Sequence, residues 1–239
     1  MTSPILITGG AQRLGLAIAK DLLRQHHKVI ITYRTKKPSV DELKGLGALA
    51  IQANFSTQDG IDCFIEAIKK ETTSLRCIVH NASDWDQESD TQDYNQLFGK
   101  MMQVHANTPY QINLALQGLL QKHATQSEEF GDIIHMTDYV QLKGSKKHIA
   151  YAASKAALHN LTLSFSALLA PQIKVNSIAP ALVMFNDHDS EEYRARALKK
   201  SLLETCPGAE EAVKAVNFLL NSNYITGQTI HLDGGRHLK

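Results

Sequence analysis

The sequence predicts a doubly wound α/β fold with a parallel sheet of about seven strands. Three observations carry that expectation. Short apolar, β-branched runs alternate with longer segments of helical periodicity along the whole chain. A small-residue turn, Thr8-Gly9-Gly10-Ala11, joins the first run to the first helical segment. No repeat, low-complexity tract or linker interrupts the 239 residues, so a single domain, 1–239, is expected.

In order, Ile5–Thr8 reads as a buried strand that ends in a tight turn. A helix from Leu14 to about Gln25 follows, with Leu14, Ala17, Ile18 and Leu22 on one face. Val29–Tyr33 is the second strand, Val40–Leu46 a weak helix and Ala48–Ala53 the third strand. Thr57–Glu71 is helical, and Cys77–Asn81 is the fourth strand. The acidic stretch Asp84–Asp93 reads as a solvated loop. A long helix is expected over Tyr94–Gln121 with a bend near Pro109, because proline removes a helix hydrogen bond. Strand five is Asp132–Thr137, and a helix carrying Tyr151 and Lys155 runs to about Leu169 before Pro171. Strand six is Ile173–Ile178; after it, about 181–208 is a polar, partly helical substrate loop with a helix near Ser190–Leu202. A helix at Ala209–Leu220 and a strand at Gln228–Leu232 close the chain.

Composition narrows the function classes. The formal net charge is +1, so no global field favours nucleic acid or an anionic membrane. No apolar run approaches the roughly 20 residues that span a bilayer, and the start Met1–Pro4 has no leader-like pattern. Cys63, Cys77 and Cys206 are odd in number and lack C-x-x-C spacing, which suits reduced thiols and a cytoplasmic protein. The His26-His27 and Lys146-Lys147-His148 clusters have no ligand-like carboxylate partners, so no metal is expected.

The chemistry converges on a nucleotide and a proton. The turn through Gly9 and Arg13 to Leu14 and Gly15 lies where an open parallel sheet takes a pyrophosphate against a helix N-terminus. The second strand ends Tyr33-Arg34-Thr35, with no acidic residue for a ribose 2′-hydroxyl. Arg34 instead offers a planar fork for a phosphate and Thr35 a hydroxyl, so NADPH is expected over NADH. Tyr151 and Lys155, spaced i and i+4, share one helix face. A lysine ammonium near the phenol stabilises the phenolate and makes tyrosine a better acid. Asp138 works against this, since an ionised carboxylate beside Tyr151 raises the phenol pKa; the groups should titrate as a coupled unit. A carboxylate also accepts hydrogen bonds from amino and N–H groups of a ligand, which a serine does less well. Trp85, the only tryptophan, can provide one face of an aromatic stack, and Arg13 can donate to a carbonyl or a phosphate.

In order and at these spacings, Thr8-Gly9…Gly15, Asn81-Ala82-Ser83, Tyr151…Lys155, Asn176…Pro180 and Asp233-Gly234-Gly235 resemble the short-chain dehydrogenase/reductase family. Two departures, Arg13 for the family's central glycine and Asp138 for its usual serine, are similar to the pteridine reductases, as is Asn81-Ala82-Ser83-Asp84-Trp85. The resemblance implies a Rossmann fold and NADPH-dependent reduction of the C=N bond of a dihydropterin, with side activity on dihydrofolate. It implies Tyr151, Lys155 and Asp138 as catalytic residues. For the pterin it implies Arg13, Ser83, Trp85, Asp138 and Tyr151. For the coenzyme it implies Gly9, Arg13, Leu14, Gly15, Tyr33, Arg34, Thr35, Asn54, Phe55, Asn81, Ala82, Ser83, Lys155 and Pro180. His105 stands where the family's relay asparagine is expected, with Asn107 as the other possible counterpart. A homodimer or homotetramer is implied. The rival readings are a 3-oxoacyl-type carbonyl reductase, which a serine at position 138 would favour, and a non-catalytic NADPH sensor, which loss of Tyr151 or Lys155 would favour.

Overall fold

A computed structural model describes residues 2–239; Met1, read above with Thr2–Pro4 as part of a start without a leader, lies outside them. The strands are β1 (Ile5–Thr8), β2 (Val29–Tyr33), β3 (Leu49–Gln52), β4 (Cys77–His80), β5 (Gly131–Met136), β6 (Ile173–Pro180) and β7 (Thr229–Leu232). They form one seven-stranded sheet in the order β3-β2-β1-β4-β5-β6-β7. Every pairing is parallel. The order reverses between β1 and β4, the switch point where such sheets leave a crevice beyond their carboxyl ends.

The period of two along each strand builds two cores. Ile5 and Ile7 face one layer with Ile31, Val79 and Ile134; Leu6 faces the other with Ile30, Ile78 and Ile133. Helix α1 (Arg13–Arg24) gives Ile18 and Leu22 to the first layer, α2 (Pro38–Gly45) gives Val40 and Leu43, and α9 (Glu210–Asn221) gives Val216 and Leu219. On the second face α3 (Gln58–Glu71) places Phe64 and Ile68, α5 (Thr108–Ser127) places Ile112 and Leu116, and α7 (Ile149–Leu169) places Phe165. Each such side chain fully buried contributes about 1.5–3 kcal/mol. The shorter helices are α4 (Tyr94–Met102), α6 (Val140–Lys143) and α8 (Glu191–Leu198).

Polar ties cross the second layer. His80 and His135, register partners on β4 and β5, both reach Asn113, at 2.7 and 3.2 Å, and His135 also meets Thr162 at 2.9 Å. Burial holds His80 neutral, its pKa lowered to about 4. At the opposite sheet end Asp132 is buried between Arg76 and Lys174, the latter at 3.1 Å.

The long helix differs from expectation. The irregularity lies just before Pro109, where Gln103–Asn107 form a π turn between α4 and α5. Pro109 has no N–H for the carbonyl of His105. Upstream, the Thr108 N–H reaches back to the Gln103 carbonyl, and its hydroxyl reaches the same oxygen at 2.8 Å. The wider turn carries His105, which is 1% exposed and points at α7.

Candidate active site

All the residues singled out in the sequence for the two ligands, Gly15 excepted, line one cleft of about 760 Å³ beyond the carboxyl ends of the strands. Gly15 lies beneath it. A Cβ there would come within 2.5 Å of the Gly9 carbonyl and of Asn81 Nδ2, so only glycine lets α1 approach the turn this closely.

The turn is built by local bonds. Thr32 Oγ1 accepts from the Gly9 N–H at 2.9 Å. Asn81 Nδ2 donates to the carbonyls of Thr8 (3.1 Å) and Gly9 (2.9 Å), and Thr8 Oγ1 accepts from the N–H groups of Asn81 and Ala82, both at 3.0 Å. The Asn81 amide is therefore a clamp between β4 and the turn, with its donors committed inside the protein. Arg13 takes φ +49°, a left-handed conformation that glycine adopts without strain. Its guanidinium donates to Asn186 Oδ1 at 2.5 Å and to the Met184 carbonyl at 3.3 Å, tying α1 to the loop after β6. No side chain caps α1, so its first N–H groups have no intrahelical or capping acceptor.

Along the floor, Asn54 Oδ1 is engaged by Ser56 at 2.7 Å. The Phe55 ring is packed edge-on against Phe64 at 5.2 Å and is part of the core. Pro180 ends β6, and the Thr137 hydroxyl donates to the neighbouring Ile178 carbonyl at 3.1 Å.

The acidic loop is pinned, contrary to the solvated reading. Asp84 pairs with Arg34 at 3.0 Å and Lys100 at 3.4 Å, and Lys100 reaches Asp86 at 2.5 Å. Burial raises the Asp84 pKa, but Arg34, the Trp85 N–H and Lys100 outweigh it and hold the carboxyl below its usual range. Glu88 Oε1 accepts from the Ala150 N–H at 2.8 Å and so caps α7, whose own N-cap residue offers no side-chain bond. Burial raises its pKa, and these backbone donors bring it below the ordinary value. Replacing Glu88 with Ala is expected to cost about 0.5–2 kcal/mol in chemical denaturation near neutrality. A lowered folded pKa stabilises above the unfolded value, so the gap between the two proteins should close as pH falls through the folded pKa.

At the chemical end, the Tyr151 hydroxyl donates to Asp138 Oδ2 at 3.0 Å, and Asp138 Oδ1 accepts from the Val140 N–H at 2.9 Å. Burial, then Asp138, pushes the Tyr151 phenol well above 10; burial also raises Asp138. The expectation that Lys155 makes Tyr151 a better acid does not hold for this arrangement. Lys155 Nζ donates to the Met136 carbonyl at 2.9 Å and stands 5.6 Å from the centre of the Tyr151 ring. Burial lowers its pKa to about 8, with Asp138 acting in the raising direction.

His105, and not Asn107, faces this group. Its Nδ1 meets Ser154 Oγ at 2.8 Å, and its Nε2 meets Ser83 Oγ at 2.8 Å and the Asp84 N–H at 3.2 Å. Asn107 turns to Gln103. The protons can be assigned by elimination. Ser154 donates to the Tyr151 carbonyl at 2.7 Å, so it accepts from Nδ1–H, and Nε2 is left as an acceptor for Asp84 and Ser83. Burial, then Lys155, keeps the ring neutral. The Ser83 hydroxyl lies within donating reach of both His105 Nε2, at 2.8 Å, and the Asp84 carbonyl, at 3.3 Å, and it lines the cleft.

Trp85 is 56% exposed at the cleft mouth, its ring 4.5 Å from His148. Several cleft residues were not anticipated from the sequence: Thr32, Asp84 and Lys37, whose Nζ bonds Gln12. The Thr32 hydroxyl was legible only as a small polar residue near a strand end. Among the described residues, no group of three or more His, Cys, Asp or Glu is placed to hold a metal ion, and no helix is long and apolar enough to cross a membrane.

A seven-stranded parallel sheet with this turn, and a tyrosine and lysine four residues apart on the helix after β5, define a nucleotide-dependent reductase architecture. A family model described as enoyl-(acyl carrier protein) reductase matches residues 9–237, and the chain belongs to the short-chain dehydrogenase/reductase family. Within it, the dihydromonapterin reductase of Citrobacter koseri is 53% identical over 236 residues, covering 99% of this chain and 97% of that protein. That of Escherichia coli strain SMS-3-5 is 52% identical with the same coverage. Among solved structures, FolM alternative dihydrofolate reductase 1 from Brucella canis complexed with NADP has a TM-score of 0.88 at 27% identity, over 99% of this chain and 94% of that one. The Pseudomonas aeruginosa RhlG/NADP active-site complex has a TM-score of 0.87 at 25% identity, over 99% and 97%.

Proposed function

We propose that this protein reduces 7,8-dihydromonapterin to the tetrahydro form with NADPH and also turns over dihydrofolate. The observation that carries the reading is the Asp138–Tyr151 hydrogen bond of 3.0 Å, in one cleft with Trp85 and Arg13. A carbonyl reductase needs a neutral hydroxyl partner at position 138; a carboxylate suits a ring rich in N–H donors. The named relatives, about half identical over nearly the whole chain, support the same substrate.

The residues present fit the coenzyme. The uncapped amides of α1 and the Gly9 turn suit a pyrophosphate. Arg34, its side chain 61% exposed, can leave Asp84 for a 2′-phosphate beside Thr35. Tyr33, Asn54 and Phe55, all on the cleft wall, would border the adenine, and Leu14, Ala82 and Pro180 would border the path to the nicotinamide. When bound, NADPH supplies the hydride for C6 of the pterin. Trp85 covers one face of the ring, Arg13 donates to its carbonyl edge, and Ser83 accepts from it. Tyr151 Oη and Asp138 Oδ2 hold between them the proton that N5 takes up. Lys155, which donates to the Met136 carbonyl, would keep a positive charge near the pair and hold the nicotinamide ribose. The loop of residues 181–193, held by Arg13 through Asn186 and Met184, would cover the pterin side chain.

Arg34→Gln is expected to cost the NADPH-over-NADH preference about 10- to 100-fold in kcat/KM, the worth of one charged hydrogen bond of about 1.5–3 kcal/mol. An unchanged ratio would remove Arg34 from the phosphate site. We place the protein in the cytoplasm as a homodimer or homotetramer built on its long helices. Exposed Tyr94, Phe98, Tyr110, Leu163 and Leu168 on α4, α5 and α7 support such a contact. The function is tested with NADPH deuterated at C4 of the nicotinamide: mass spectrometry should find deuterium in the tetrahydropterin. Coenzyme oxidation without label in the pterin would exclude this reaction.

A further inference from the structure

Charge is unevenly placed around the substrate end of the cleft. The chain as a whole is nearly neutral, at +1. Yet residues 139–150 carry Lys143, Lys146 and Lys147 and no carboxylate. Residues 193–203 carry four cations, and 234–239 two, again with no acidic side chain. The fold brings the three segments together. The Arg236 guanidinium lies 4.2 Å from the centre of the Tyr139 ring, beside Asp138. Lys143 Nζ donates to the Lys239 carbonyl, and Lys239 Nζ donates to the Lys199 carbonyl, each at 2.7 Å. The Leu203 N–H donates to the Gly234 carbonyl at 3.0 Å.

The cations crowd one another. Burial, then repulsion from Arg236, Lys147 and Arg196, lowers the Lys200 pKa. Nearby carboxylates are fewer than the cations and already engaged: Glu192 with Arg196 at 3.9 Å, Glu204 with Lys239 at 3.5 Å, Asp233 with His237 at 2.6 Å, and Glu211, which lines the adjoining cavity, with Lys214 at 2.6 Å. Between this rim and the main cleft is a second cavity of about 250 Å³, which shares Ala181 and Val183 with the cleft. Its walls include Leu182, Leu203 and Leu232, and Arg236 stands at it. An apolar chamber next to the pterin site with an excess of positive charge at its edge suits an aryl group that ends in carboxylates.

We propose that this basic rim, with Lys147, Arg196, Lys200 and Arg236, binds the glutamyl carboxylates of dihydrofolate, most strongly in its poly-γ-glutamyl forms. The inference rests on the pterin-reductase reading. Dihydromonapterin, whose side chain is uncharged, uses the same ring site without the rim. The two substrates therefore differ in their dependence on salt, because exposed charge pairs are screened over about 8–10 Å at physiological ionic strength.

The test compares the wild type with the triple variant K147Q/R196Q/K200Q, which leaves Arg236 and the cleft residues untouched. Steady-state kinetics with dihydromonapterin, dihydrofolate and dihydrofolate triglutamate are run at low and high salt. Calorimetry of pteroyltriglutamate binding gives a readout that needs no turnover. The variant should raise KM for dihydrofolate about tenfold and for the triglutamate more, weaken pteroyltriglutamate binding to match, and leave dihydromonapterin kinetics within about twofold. Salt should do the same to the wild type. Equal effects on all three substrates, no effect on any, or a change confined to the KM for NADPH would overturn the assignment. Wild-type protein that turns over no dihydropterin would refute the underlying reading, and the calorimetry would still decide on the rim.

Discussion

Tyr151→Phe is expected to lower kcat with dihydromonapterin by about 10²–10⁴-fold, the range for removing a positioned acid–base group. Binding of NADPH should stay within about twofold. The phenol is partly buried, Asp138 is the side chain it hydrogen-bonds among the described residues, and the pair would be the proton store of the cleft. Removing one oxygen leaves the ring packed edge-on to His105, 5.3 Å between centres, so the loss should be chemical and not structural. A fall in KM-independent turnover with unchanged thermal unfolding would support this; a variant retaining a tenth of the wild-type kcat would show that the proton reaches N5 by another route.

The second large effect is expected at Asp138. Asp138→Ser restores the residue more usual in the family and should reduce pterin kcat/KM by about 10²–10³-fold, with little change in NADPH affinity. It should also move the pH profile. Burial depresses Lys155 to about 8, and Asp138 opposes that depression. Without the carboxylate, the Lys155 pKa falls further. If protonated Lys155 is required, the alkaline limb of kcat/KM lies near 8 in the wild type and shifts to lower pH in the variant. A shift to higher pH, or equal losses in turnover and coenzyme binding, would contradict the assigned role.

Much of the framework was legible because burial on both faces of a parallel sheet leaves a simple record. Ile5–Thr8, Val29–Tyr33 and Ile173–Ile178 read as strands and are strands, with β6 running on to Pro180. The i, i+4 spacing of Tyr151 and Lys155 placed both on the cleft side of α7. Spacing did not reveal where the ammonium goes, because its acceptor is a main-chain carbonyl of β5, at Met136. Nor did local pattern show the Asp84–Arg34–Lys100 bridge, which joins segments distant in sequence, so the acidic run looked like solvated surface. Pro109 signalled an irregularity in the long helix, but its form depends on which carbonyl Thr108 reaches. Arg13 shows the opposite limit. Its backbone still takes the left-handed turn of the glycine it replaces, while its side chain serves a different end.

The most direct test of the account follows NADPH oxidation at 340 nm with dihydromonapterin, dihydrobiopterin and dihydrofolate in parallel. The kcat/KM for dihydromonapterin should be at least about tenfold above the others, about 1.4 kcal/mol of transition-state preference. No oxidation with any of the three by protein that binds NADPH would contradict it.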